Sequence, residues 1–363
     1  MTIYLDYQAT TPIAPEVRGA MLPWISDKFA NPHSPHKMGR EAAAMIEVAR
    51  DAVATLLPPC GRVYFTSGAT EAINWALRGA GSGGIAVAET EHAAVRDTSA
   101  WLAKHRRKLS LIPVNADGLI DKRLDLPDGT GMVAAMLVNN EIGTVQPIAA
   151  LAKAAHKAGA LFLCDAVQGY GRLAIPEGPD LIALSAHKIH GPKGVGALWV
   201  KDGVEIEPLL HGGGQEGGLR SGTLSPALCI GFGTAATIAR QRMEADAAHV
   251  ERLWSVAMDM LPHGWTLNGS ATARYHGNLN LRCDWLDAAR LISELRDVAF
   301  AAGSACASGS GRPSHVLRAI GLSDGEARSS IRLGFGRYTT QSELREAMRL
   351  ILAAAARQHS IAA

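Results

Sequence analysis

The sequence predicts an α/β fold with a large domain built on a mostly parallel, mixed sheet and a smaller α+β domain at the C-terminal end. Two observations lead to this prediction. Short apolar runs alternate with helical patterns over most of the chain, and polar side chains repeatedly follow those runs. Beyond about residue 245, helices are interleaved with short strands instead. We assign residues 16–245 to the large domain, and residues 1–15 and 246–363 to the small one.

The strands and helices are predicted from apolar periodicity and from the Gly and Pro residues that interrupt it. The predicted strands are 63–65, 85–88, 132–138, 160–164, 180–184, an antiparallel 195–200, 278–282 and 331–336. The predicted helices are 39–57, 71–77, one that ends near residue 103, 147–158 and a long one from about residue 226. Since parallel strands in such a sheet end at one edge, Asn140, Asp165 and Lys188 are expected to meet there.

Composition excludes several classes of function. The formal net charge of a chain of 363 residues is only +2, so we predict no direct binding of nucleic acid. The N-terminal residues lack the pattern of a secretory signal, and no apolar run is long enough to span a bilayer. Five scattered cysteines give no disulfide framework and suit a reducing compartment, so we expect a cytoplasmic protein without membrane association. No zinc-binding spacing is present, and we predict no metal site.

Lys188 lies just after an apolar strand and before a Gly-Pro pair, where α/β sheets place their chemistry, and it is a candidate Schiff-base lysine. A single lysine is more often a solvated surface charge. Asp165 ends the preceding strand, where a single aspartate is more often a cap of the strand end. The small residues 66–70 open a helix and could bind an anion or simply cap that helix. Together they offer the lysine, carboxylate and phosphate donors that pyridoxal 5′-phosphate (PLP) requires.

Cys306 lies in a run of Gly, Ser and Ala residues from 303 to 311. A loop of this composition exposes a thiol and leaves it nothing to pack against, which suggests a reactive cysteine. A flexible linker with an incidental cysteine explains the same residues equally well.

Ten segments resemble, in order, those of the cysteine desulfurases of the NifS/IscS group, which are class V aminotransferases of PLP fold type I. These segments are Tyr4–Pro12, Asn31–Ser34, Phe65–Glu71, Thr90–His92, Val138–Pro147, Asp165–Gln168, Ser185–Gly194, Gly212–Thr223, Gly303–Cys306 and Arg332–Gly336. Any single segment would be weak evidence, whereas the ordered set covers nearly the whole chain.

The resemblance implies a role for each matching residue. Lys188 would form the Schiff base with PLP, Asp165 would pair with the pyridinium nitrogen, and Gln168 would bind the ring hydroxyl. His92 would stack on the ring and shuttle protons. The phosphate would be held by the backbone of Ala69, by Thr70, Ser185 and His187, and by Thr223 of the neighbouring subunit. Asn140 and Arg332 would bind the substrate carboxylate, and Cys306 would accept the sulfur.

The resemblance further implies a homodimer that converts L-cysteine to L-alanine and holds the sulfur as a persulfide on Cys306. A sulfur-acceptor or iron–sulfur scaffold protein would receive the sulfur for the synthesis of iron–sulfur clusters or related cofactors. The alternatives are a selenocysteine lyase, another class V C–S lyase, or a catalytically silent scaffold partner that keeps the fold. Cys306 favours the desulfurase over those lyases that need no thiol.

Overall fold

The computed structural model describes residues 2–105, 107–303 and 313–362 of the chain. The strands within these ranges are β1 Ile3–Tyr4, β2 Gly61–Thr66, β3 Gly84–Ala88, β4 Leu109–Ile112, β5 Thr130–Met136, β6 Leu161–Asp165, β7 Leu181–Ser185, β8 Gly196–Lys201, β9 Thr266–Leu267, β10 Asn278–Arg282, β11 Val298–Ala299, β12 Ala301–Ala302 and β13 Ser330–Gly334. The helices are α1 Pro15–Ser26, α2 Lys37–Ala54, α3 Ala69–Gly79, α4 Ala93–Lys104, α5 Ile148–Lys157, α6 Pro226–Asp259, α7 Ala288–Glu294, α8 His315–Ala319, α9 Asp324–Arg328 and α10 Gln341–Ala362.

The large sheet has seven strands in the order β2-β8-β7-β6-β5-β3-β4. Only β8 runs antiparallel to its neighbours, which confirms the predicted mixed and mostly parallel sheet and its antiparallel return strand. The sequence does not predict strand β4. It is an edge strand whose four residues are mostly only half-buried or exposed, so its sequence lacks the continuous apolar run of the inner strands.

Helices cover both faces of this sheet. Apolar residues of α3 and α4 pack on one face, and those of α1, α2, α5 and the first half of α6 pack on the other. Burial on both faces explains why the inner strands are apolar throughout rather than alternating. The carboxyl ends of β5, β6 and β7 consequently meet at one edge of the sheet, which is otherwise enclosed by helices.

A second, antiparallel sheet in the order β12-β13-β10-β9 lies in the later part of the chain, and β11 pairs in parallel with β1 at the N-terminus. The hydrophobic core of this second sheet includes the second half of α6 and much of α10. The predicted domain boundary at residue 245 falls inside α6, and the division into two domains stays a prediction. Among the helices of the described ranges, none combines the length with the apolar character that a membrane crossing requires.

Candidate active site

A cavity of about 510 Å³ lies at the carboxyl edge of the large sheet. Ten of the twelve site residues predicted from the sequence line it: Ala69, Thr70, His92, Asn140, Asp165, Gln168, Ser185, His187, Lys188 and Arg332. The other two are not brought to it within this chain. Thr223 is exposed and does not line the cavity, and Cys306 lies outside the described residues.

Lys188 is presented by a single turn of 3₁₀-helix, Ala186–Lys188, that follows β7 directly. The turn closes because the backbone N–H groups of Ile189 and Gly191 both donate to the Ala186 carbonyl, at 3.0 Å each. A Cβ at Gly191 would lie 2.8 Å from that carbonyl oxygen, so the turn requires glycine here. The Gly-Pro pair after Lys188 therefore fixes the turn that points the lysine into the cavity.

The Lys188 amine is held by the N-terminal arm. Its Nζ donates to the backbone carbonyl of Ala9, at 2.7 Å, and to that of Gln8. The pKa of Lys188 is lowered from 10.5 to about 8, mainly by burial and then by the positive charges of Arg172 and Arg332. The negative charge of Asp165 raises it by less than these charges lower it. A substantial fraction of this amine is thus neutral near physiological pH, as a Schiff-base lysine or a general base requires.

Asp165 is the last residue of β6, Gln168 follows it three positions on, and both line the cavity. The Asp165 carboxylate accepts a hydrogen bond of 3.0 Å from the Val167 backbone, and burial raises its pKa while this hydrogen bond opposes the rise. The Gln168 side-chain amide is oriented at both ends, because Arg172 donates to its Oε1 at 2.9 Å and its Nε2 donates to the Gln8 carbonyl at 2.9 Å.

The first turn of α3 also lines the cavity, with Ala69 and Thr70. The residue before it, Gly68, has an extended backbone and supplies no side-chain cap, and the Thr66 hydroxyl donates to the Gly68 carbonyl instead of capping the helix. The first backbone N–H groups of α3 therefore have no side-chain cap, so residues 66–70 do not simply cap this helix. The positive end of the helix dipole points toward the cavity. The helix begins at Ala69 rather than at Glu71 as predicted, so Thr70 lies in its first turn.

His187 and His92 approach the same cavity from two different elements. His187 Nδ1 lies 3.1 Å from the Thr10 hydroxyl, and burial, followed by the charge of Lys188, lowers its pKa to about 4. His187 is consequently neutral at physiological pH. His92 is the N-cap of α4, where its Nδ1 accepts a hydrogen bond of 3.1 Å from the Ala94 backbone, which places its proton on Nε2.

Four residues that contribute to the site are not predicted from the sequence. The carbonyls of Gln8 and Ala9 hold Lys188, and the Arg172 guanidinium donates to both Gln168 and the Lys188 carbonyl. Asp6 accepts a hydrogen bond of 2.7 Å from Arg332. The segment around Asp6 belongs to the resemblance, which assigns this residue no catalytic role. Its role follows from the structure, in which Asp6 lies near the positively charged groups of Arg332 and Lys188.

The residues present fit PLP. A buried carboxylate, an amine of lowered pKa and an uncapped helix start line one cavity, in which the Ser185 side chain and the neutral His187 side chain can also contact an anion. These are the three kinds of group that the ring nitrogen, the aldehyde and the phosphate of PLP need. Within the described ranges no group of three or more His, Cys, Asp or Glu side chains is placed to hold a metal ion.

Comparisons with known proteins agree with this fit. The aminotransferase class-V family matches residues 3–346 of the chain. A protein of Rickettsia bellii named cysteine desulfurase IscS is 42% identical over 370 residues, which cover 97% of this chain and 90% of the relative.

Two solved structures are also similar. A NifS-like protein superposes with a TM-score of 0.89 at 31% identity, over 97% of this chain and 98% of its own. A structure described as SspA in complex with cysteine superposes with a TM-score of 0.81 at 34% identity, over 93% of this chain and 100% of its own. The chain therefore belongs to the aminotransferase class-V family, within its NifS/IscS group of cysteine desulfurases.

Proposed function

We propose that the chain is a PLP-dependent cysteine desulfurase, which converts L-cysteine to L-alanine and passes the sulfur, through a persulfide on Cys306, to an acceptor protein. One observation carries the proposal: the cavity combines a half-buried lysine of lowered pKa, a buried carboxylate and an uncapped helix start with a buried arginine, Arg332. The relatives named cysteine desulfurase and the neighbour solved with cysteine support the same substrate.

In this proposal, each end of PLP has its own residues. The α3 start at Ala69 and Thr70, together with Ser185 and His187, would hold the phosphate. Asp165 would keep the pyridine nitrogen protonated, Gln168 would bind the ring hydroxyl, and His92 would stack on the ring. Lys188 would form the covalent link. Bound PLP would supply an electron sink for the carbanion that forms at the substrate Cα.

Residues of the chain would bind the substrate, transfer its protons and accept its sulfur. Arg332 and Asn140 would bind the substrate carboxylate. The substrate amine would replace Lys188 in the link to PLP, and the Lys188 amine released in this exchange would take the Cα proton. The Cys306 thiolate would then attack the substrate sulfur, so that one S–S bond forms and the substrate C–S bond breaks. The electron pair of the broken bond stays with the three-carbon fragment, which gains protons, with His92 as one carrier, and leaves as alanine.

We also propose a homodimer. Thr223 is exposed in this chain and could reach the phosphate of a second copy, and Leu22, Ile25 and Phe29 on and just after α1 are large apolar side chains exposed by 61%, 63% and 77%. We place the protein in the cytoplasm on the basis of its scattered cysteines, and we propose that its acceptor is an iron–sulfur scaffold or another sulfur-carrying protein.

The decisive experiment incubates the PLP-loaded protein with L-cysteine and measures alanine and sulfide together. We expect equal amounts of both in the presence of a reducing thiol. Cys306→Ala should keep the visible absorption of bound PLP and lose sulfide release, because the nucleophile is gone. Cys60→Ala, which removes an exposed cysteine outside the cavity, should retain both. Full turnover by the Cys306 variant would refute the persulfide route, and a strong preference for selenocysteine would favour the lyase alternative.

A further inference from the structure

Arg332 is almost completely enclosed, and its contacts fix its orientation. Its side chain is 2% exposed on β13. One terminal nitrogen donates to the Asn140 carbonyl at 2.9 Å, and the other donates to Asp6 Oδ1 at 2.7 Å. Its Nε has no hydrogen-bond partner among the described residues. Two of the five N–H donors of a guanidinium are therefore engaged, and one remains on each of its nitrogens.

Asp6 is held beside Arg332 by backbone contacts rather than by its own side chain. The Gly334 N–H donates to the Leu5 carbonyl at 2.7 Å, the Tyr7 N–H donates to the Gly334 carbonyl at 3.3 Å, and Asp6 forms a parallel β-bridge with Gly334. The arm thus runs along the strand that carries Arg332. Asp6 thus pairs with Gly334, two residues after Arg332 on the same strand. These main-chain bonds position the Asp6 side chain and do not depend on which side chain is present.

Asp6 is the carboxylate that accepts a hydrogen bond from Arg332. The other carboxylate that senses Arg332 is Glu141, whose pKa is raised by burial to about 7 and which accepts a hydrogen bond from Ser314. Glu141 therefore carries only part of a charge near neutral pH. Asp6 is 24% exposed and is bonded directly to the guanidinium. Without an acceptor at position 6, this terminal nitrogen of Arg332 would turn toward another hydrogen-bond acceptor.

We propose that Asp6 is a positioning residue for the substrate carboxylate: it fixes one terminal nitrogen of Arg332, so that the remaining N–H donors are already oriented when the substrate arrives. This inference rests on the proposed function, since it takes the substrate to be an amino acid whose carboxylate Arg332 binds. The role belongs to the acceptor oxygen at position 6 rather than to its negative charge, which would itself repel a second carboxylate.

The role can be tested with two ligands that do not turn over to alanine and sulfide. L-Alanine has the amine and carboxylate of cysteine, and cysteamine has its amine and thiol but no carboxylate. Equilibrium binding to the PLP-loaded protein is followed by the absorption of the cofactor. Asp6→Ala should weaken L-alanine binding about tenfold, equivalent to about 1.4 kcal/mol, and leave cysteamine binding unchanged. Asp6→Asn, which keeps an acceptor oxygen, should bind L-alanine within about threefold of the parent.

The chain offers a matched control. Asp246 pairs with Arg337 at 2.7 Å, and the two side chains are 19% and 6% exposed, close to the values for Asp6 and Arg332. Asp246→Ala should lower the melting temperature as Asp6→Ala does, yet leave binding of both ligands unchanged. This control separates a loss of stability from a loss of orientation at the site.

Three results would overturn the inference: equal weakening of both ligands by Asp6→Ala, unchanged L-alanine binding by that variant, or an Asp6→Asn variant as impaired as Asp6→Ala. A parent protein that binds L-alanine no better than cysteamine would also overturn it, because Arg332 would then recognise no carboxylate. Failure of the proposed function has a different signature, which is the absence of alanine and sulfide from cysteine.

Discussion

The lowered pKa of Lys188 makes a measurable difference to its reactivity. At pH 7.5, an amine with a pKa of about 8 is neutral in about a quarter of the molecules, whereas one with the ordinary value of 10.5 is neutral in about one in a thousand. The structure therefore predicts roughly two-hundredfold more of the nucleophilic form. Burial is the largest cause of the lowered pKa, followed by the positive charges of Arg172 and Arg332.

Competitive labelling of the cofactor-free protein measures this pKa directly. Trace acetic anhydride is applied between pH 6 and pH 11, and the acetylated fraction of each lysine is quantified by mass spectrometry. Limited access to the buried amine scales the rate of labelling but does not move its midpoint. We expect the labelling of Lys188 to level off just above pH 8, while that of free Nα-acetyl-lysine, added to the same reaction as a reference amine, keeps rising at higher pH.

Arg172→Met provides the matched perturbation. It removes the cation that lowers the pKa of Lys188 most after burial, and it keeps an unbranched side chain of similar length. The labelling midpoint of Lys188 should move to higher pH, because one charge that repels its ammonium is gone. The reasoning is refuted if Lys188 in the parent titrates together with the free lysine reference, or if the Arg172 variant moves the midpoint down.

Two further predictions concern buried charges outside the cofactor contacts. Glu216→Gln breaks an ion pair of 2.7 Å with Arg50, in which the two side chains are 2% and 7% exposed. Urea unfolding should show a loss of about 3 kcal/mol in the free energy of unfolding. Replacing both residues with apolar ones should lower it less, and a loss below about 1 kcal/mol for Glu216→Gln would contradict the argument. Glu91→Gln should flatten the dependence of stability on pH. Burial, followed by the charge of Asp165, raises the pKa of Glu91 from 4.5 to about 8. This group therefore favours folding below pH 4.5 and loses that contribution as the pH rises to about 8, on the order of 5 kcal/mol in all. If the melting temperature changes equally between pH 5 and pH 8.5 in parent and variant, Glu91 does not contribute to the pH dependence.

The apolar runs predict most of the large sheet because its inner strands are buried on both faces, and a buried strand leaves a continuous apolar signal. Only the half-exposed edge strand β4 lacks that signal. The carboxyl edge of the sheet then follows from strand direction, which is enough to place Asn140, Asp165 and Lys188 near one another. These steps use information that is local in the sequence.

The contacts made by the N-terminal arm could not be predicted in this way. The carbonyls that hold Lys188 belong to Gln8 and Ala9, about 180 positions away, and a backbone oxygen carries no signal in the residue type. Arg172 resembles any solvated arginine near a strand end. The predicted start of α3 is two residues late because Ala69 and Thr70 belong to a run of small residues typical of an irregular turn, although an uncapped first turn gives the cavity its anion site.

The long helix α6 has a consequence for how the molecule unfolds. Its 34 residues span about 51 Å. Residues such as Phe232 and Ala236 in its first half belong to the core of the large sheet, and Leu253 and Ala257 in its second half belong to the core of the second sheet. Melting of either core would strip one half of this helix of its packing and weaken the other half. The two cores should therefore melt together, as a single calorimetric transition, although each has a sheet of its own.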